Sequence, residues 1–179
     1  MYLIKYFLSQ MGDGEVPFQV SITLTSTLLR NQESGELQTE VKDEDGDLLC
    51  RKKGLNALAE LRHSKWFTAM AANLSSCVES IRIMKDKAMR DPTWAAVGSW
   101  ALEILVERAL YSAGRNLSPS GALMRIMEVV ASGLLMVDGP GIKDPCERDD
   151  ICVFKELTIQ MREDVTRQAQ EDLRNVHFR

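Results

Sequence analysis

Two hydrophobic periods divide this chain. In VPFQVSITLTSTLL, Val20, Ile22 and Leu24 alternate with Ser21, Thr23 and Thr25. A period of two with β-branched residues predicts a strand, about residues 18–29, with one buried and one polar face. A single strand leaves its backbone groups unpaired, so it needs partners. The next stretch, RNQESGELQTEVKDEDGD from Arg30 to Asp47, is acidic and punctuated by glycine. Residues 31–53 therefore read as an acidic linker.

Beyond the linker the period becomes 3.6. Leu55, Leu58, Leu61 and Trp66 predict a helix over 55–67, and Leu74, Cys77, Val78, Ile81, Met84 and Ala88 a second over 74–89, broken by Asp91-Pro92. A third helix is expected over 100–113, with Ser99 as N-cap. A fourth starts at Ser118-Pro119, a cap followed by a first-turn proline. Its stripe of Leu123, Ile126, Met127, Val130 and Leu134 carries it toward Met136. A fifth runs from Thr158 to about Asn175 with a thin apolar face, which predicts a peripheral position. The expected architecture is α+β and mostly α, with a strand-bearing N-terminal piece (1–30), the linker, and a helical lobe over 54–179.

Composition narrows the function. Apolar residues make up 45% of the chain and charged residues 27%, enough for a core and typical of a globular protein. A net charge of −4 confines any nucleic-acid contact to a local basic patch. The four cysteines and two histidines show neither CxxC nor zinc-finger spacing, and read as reduced thiols. No apolar run approaches the roughly 20 residues that span a bilayer. The opening MYLIKYFLSQM lacks a small-residue cleavage site and makes a poor signal peptide.

Phosphate-loop, dinucleotide, zinc-protease and nucleophile-elbow motifs are absent. Glu163 and Asp164 are sequence neighbours, so on a helix they point apart rather than converge on a substrate. Basic residues are the stronger candidates for chemistry. LRHSKWF supplies Arg62 and Lys65, and IRIMKDKAMR supplies Arg82 and Lys85, with Arg90 a further turn along. Two helices carrying them could grip a triphosphate or an RNA backbone through charge-assisted hydrogen bonds, or simply present two solvated polar faces. GPGIKDPCERDD, residues 139–150, packs two glycines, two prolines and six charges behind a helix. It reads as a structural elbow, with Gly139 and Gly141 turning the chain and Asp144-Pro145 opening a further turn.

LRHSKWF, DPTW, GPGIKDPCE and REDVT together resemble the DZF domain family of RNA-associated proteins, over about Val20 to Ala169. In detail they are most similar to the zinc-finger RNA-binding protein branch. The resemblance implies an oligoadenylate-synthetase-like nucleotidyltransferase fold, of which this chain carries the helical lobe and a remnant strand of the catalytic lobe. It also implies a chain that stops before the family's usual helical extension, as a truncated or alternatively spliced product would.

In active nucleotidyltransferases a strand like VSITLTS carries an acid for Mg²⁺, and two further acids lie in a GS-motif region not visible here. Ser21, Thr23 and Thr25 stand on the strand instead, and neutral hydroxyls do not replace a carboxylate at Mg²⁺. The resemblance implies a pseudoenzyme that pairs with another DZF protein, of the interleukin enhancer-binding factor 2 type, in nuclear RNA-binding complexes with a cytoplasmic share. No catalytic residue, metal, membrane contact or cofactor is expected, beyond a nucleotide with Mg²⁺ at most. RNA is expected to be held mainly by domains outside this chain. Lys85 matches a triphosphate-contacting lysine of oligoadenylate synthetases, with Arg62, Lys65 and Arg82 as support. A similar Asp-Pro closes the cleft between lobes there, which suits Asp144-Pro145 to fixing the last helix. The alternatives are an RNA- or nucleotide-binding module working through the basic helices, or an active nucleotidyltransferase.

Overall fold

A computed structural model describes residues 40–42 and 48–177. The expected strand at 18–29, with Ser21, Thr23 and Thr25, lies outside these residues. The chain forms two compact units, residues 1–64 and 65–179.

In the first unit, β1 (Glu40–Lys42) pairs antiparallel with β2 (Leu48–Cys50), placing Val41 opposite Leu49. Helix α1 (Arg51–Trp66) follows without a break. The expected linker over 31–53 thus holds a short strand pair and the first residues of a helix. The strand pair holds Val41, Leu48, Leu49 and Cys50 in an otherwise acidic stretch, too few in alternation to register as strands. Gly54, Ala57 and Leu58 are buried on α1, whereas Leu55 is exposed.

The second unit is built around α4 (Ser99–Tyr111). Ala101, Leu102, Ile104, Leu105, Val106, Ala109 and Leu110 are buried on it, leaving little of its circumference to solvent. A helix apolar nearly all round is the centre of its domain. Against it pack a π-helical segment (Phe67–Ala71), α2 (Cys77–Arg90) and α5 (Pro119–Ala131). The π segment closes through the Ala72 amide on the Phe67 carbonyl, and Asn73 Nδ2 caps the carbonyls of Thr68 and Ala69.

Asp91-Pro92 does end α2, but it also begins α3 (Pro92–Ala95). Asp91 accepts the Thr93 amide at 3.0 Å, and proline sits at the first helical position, where its missing N–H costs nothing. The single turn seats Trp94, which is fully buried. The N-cap of α4 is Gly98 at φ +80, one residue before the expected Ser99. Ser118 caps α5 as expected, accepting the Gly121 amide at 3.2 Å.

Helix α5 is shorter than its stripe suggests. It stops at Ala131 because Gly133, at φ +91, turns the chain left-handed, a conformation that favours glycine. Leu134 and Leu135 stay buried in the turn that follows. Helix α6 (Ile159–His177) starts where expected, with Thr158 Oγ1 accepting the Met161 amide. It is not peripheral: Val165 and Ala169 are fully buried as it packs along α5 and touches α3. Small side chains at i and i+4 let it approach closely, so a thin apolar stripe is enough. No described helix is long and apolar enough to cross a membrane.

Candidate functional site

The chemistry of this unit falls in three places: the elbow, the outer face of α2, and a groove between α2, α5 and α6.

The elbow begins at Gly133. A Cβ on Gly139 would sit 2.2 Å from the Gly133 carbonyl oxygen and 3.0 Å from two more, so only glycine fits. Gly141, at φ +60, donates its amide to the Leu134 carbonyl at 3.1 Å. Asp144 is the polar hub. Its Oδ1 accepts the Cys146 amide across Pro145 at 2.8 Å, and its Oδ2 accepts Trp100 Nε1 from α4, also at 2.8 Å. Its own amide donates to Ile151 and that of Val153 to Ile142, which brings Lys143 alongside Cys152. Trp66 meets Trp100 edge-on at 5.2 Å, fixing the indole that holds Asp144. Pro145 itself is exposed.

Arg162 completes the elbow from α6. Its guanidinium donates to the carbonyls of Leu135 (2.8 Å), Phe154 (2.5 Å) and Leu157 (3.2 Å). The connection between α5 and α6 has no regular secondary structure, so its carbonyls need donors from elsewhere. A planar group with five N–H donors can serve three at once. In the sequence this arginine stands among charged helix residues and reads as solvated. Its one signal is its place in REDVT.

The basic residues of α2 are mostly engaged. Lys85 Nζ lies 2.5 Å from Glu103 Oε1 on α4. Lys87 reaches Asp172 of α6 at 3.0 Å and Asp91 at 3.7 Å, with its ammonium 5.8 Å from the Trp94 ring centroid. Arg90 pairs with Asp86 at 2.8 Å. Arg82 is exposed, one turn from Lys85, and has no partner among the described residues. On α1, Lys65 is exposed, while Arg62 is half-buried and already engaged. Lys85 and Arg82 are thus neighbours, but one is neutralised and the other points to water.

The inner face of α2 is dry. Cys77 and Ser80 are fully buried there, and Glu107 of α4 is nearly so. Burial raises the Cys77 thiol to about 11, with the charges of Glu107, Glu79 and Glu103 adding to it. A thiol held protonated is a poor nucleophile and metal ligand. Burial likewise raises Glu107, partly offset by Arg108.

The groove is a cavity of about 470 Å³ lined chiefly by Ile83, Met84, Leu123, Met124, Met127 and Leu173. Lys87 and Asp172 stand at its rim with Ser120 and Asn175. Three methionines give it an adaptable apolar wall, because unbranched thioethers re-pack at low cost.

A model of the DZF C-terminal domain family matches residues 76–178. The match opens at the left-handed Ser76 that precedes α2, closes just past α6, and so takes in the elbow and groove as well as the central helix. It covers more than half of the chain. The chain belongs to the DZF family. DZF domains have a nucleotidyltransferase-like fold, and α2 to α6 are the helical, C-terminal lobe of one. Arg162, Asp144 and Trp100, which tie this DZF lobe together, all fall within the matched residues.

Proposed function

We propose that this DZF lobe is a catalytically inactive, nucleotidyltransferase-like module that pairs with a second DZF protein, of the interleukin enhancer-binding factor 2 type, in nuclear RNA-binding complexes. The observation that carries the reading is the methionine-lined groove in a lobe of this family. It offers apolar surface at a concave site with an ion pair at its edge, the composition of an interface core and rim. Two arguments support inactivity. The sequence positions where the family likeness expects a metal-binding acid hold Ser21, Thr23 and Thr25. Lys85, the residue best matched to a triphosphate, has its ammonium on Glu103, and that carboxylate would repel the phosphates.

The test is association in solution. Mixed with a full-length DZF protein at micromolar concentration, the chain is expected to co-elute as a 1:1 complex by size exclusion with light scattering. Met127→Asp, which sets a charge in the groove, is expected to separate the two. Two independent peaks for the native mixture would overturn the reading.

Arg82 favours one second reading, direct RNA contact, because it is an exposed and unpartnered cation. That reading expects weak affinity that falls with salt and falls further in Arg82→Ala.

A further inference from the structure

The turn between α4 and α5 takes no part in the elbow, and its sequence is unusual. From Ser112 to Met124 the chain reads SAGRNLSPSGALM, with one charge, Arg115, and no acid. Arg115 is exposed and has no partner among the described residues. Three residues later comes Ser118, also exposed, with extended backbone (φ −67, ψ 161) and Pro119 after it. The residue before it is fixed, because Ser76 Oγ donates to the Leu117 carbonyl at 2.8 Å. The Ser118 oxygen accepts the Gly121 amide at 3.2 Å and lies 3.2 Å from Ser120 Oγ. Ser118 and Ser120 are both exposed.

A protein kinase reads a short extended segment around the hydroxyl it modifies. Proline directly after that hydroxyl selects an enzyme whose pocket offers no acceptor there, since proline has no N–H to leave unsatisfied. An arginine three residues before it suits an acidic group on the same enzyme through charge-assisted bonds. Ser118 meets both sequence conditions, and its own exposed residue is extended, with α5 beginning at Pro119.

We propose that Ser118 is a phosphorylation site for a proline-directed serine/threonine kinase that also reads arginine at the third position before the acceptor. In the step, Ser118 Oγ attacks the γ-phosphorus of Mg-ATP and forms a new O–P bond. The bond from the γ-phosphorus to the β,γ-bridging oxygen breaks, ADP leaves, and the hydroxyl proton passes through the kinase's base to solvent. The product adds roughly −1.5 to −2 charges. The surroundings accept that charge, because the free Arg115 is three residues away and no carboxylate lies between Ser112 and Met124. The new oxygens can also take over from the hydroxyl as acceptors for the first amides of α5.

The test incubates the full chain with Mg-ATP and a purified proline-directed kinase and maps the phosphate by mass spectrometry. One phosphate, on Ser118, is the expected result. Ser118→Asn should abolish it while keeping a side-chain cap, so that loss of folding does not mimic loss of the site. Pro119→Ala should lower the rate about tenfold or more, as a newly unsatisfied N–H requires. Arg115→Ala should lower it about threefold to tenfold for the lost charge-assisted bonds. Labelling that persists in Ser118→Asn, or that maps to Ser112 or Ser120, would overturn the assignment. So would a synthetic peptide of residues 110–124 that is modified while the folded chain resists.

Discussion

The elbow and the outer face of α2 are both rich in residues that suggest chemistry, and in both the structure engages most of those residues with other groups of the protein. They differ in what those residues bond. In the elbow, Asp144 and Arg162 bond to main-chain groups and to an indole at fixed geometry, in a connection flanked by the buried Leu134, Leu135, Ile142, Phe154 and Leu157. On α2, Lys85, Lys87 and Arg90 meet carboxylates through long, partly solvated side chains. The lesson is that a polar cluster is informative about stability when it satisfies main-chain groups and a fixed indole, and only weakly so when it pairs partly solvated charges.

The sharpest way to break the contrast is Arg162→Met, which keeps much of the side chain's volume and removes three donors. With the Leu135 and Leu157 carbonyls losing this donor and Phe154 keeping only the Leu157 amide, unfolding by denaturant should show a loss of roughly 2–3 kcal/mol. A loss below that of any single α2 cation would erase the distinction. Trp100→Phe removes one bond to Asp144 and keeps most of the ring packing, so roughly 1–2 kcal/mol is expected.

Glu107 tests the dry side of α2. Burial raises its folded pKa above the ordinary 4.5, so the folded state holds the proton more tightly than the unfolded one. Its penalty is absent in acid and grows as pH rises from about the unfolded value through the folded value. Glu107→Gln should therefore melt higher than the native chain at neutral pH, with the advantage vanishing in acid. An advantage independent of pH would show that the carboxyl's charge is not the cause. Lys85→Ala stands last: an isolated pair with one partner a third exposed predicts about 1 kcal/mol or less, reduced further by salt.

The helices with strong stripes were legible in the sequence, because burial on one face must repeat every 3.6 residues. The cap at Ser118 was legible for the same kind of reason: serine before proline has few other uses at a helix start. Position within the fold was harder. The central role of α4 shows in an apolar face wider than one stripe, but α6 hides its buried face behind small residues, Val165 and Ala169, in a charged helix. Helix α3 is too short for any period to register. The turning residues Gly139, Gly141 and Asp144 could be read from their chemistry, whereas Arg162 could not. Its role depends on which carbonyls the tertiary structure leaves without donors. Likewise, the cations at 82 and 85 look equivalent in sequence, and only the position of Glu103 separates them.

The three carbonyls gathered by one guanidinium also decide how the molecule comes apart. The stretch from Ser132 to Thr158 closes several amides on its own carbonyls, such as Asp144 on Ile151 and Val153 on Ile142, and Arg162 ties that frame to α6. Breathing of α6 and breathing of that stretch are then one event, and their amides should trade protons for deuterons at a common rate.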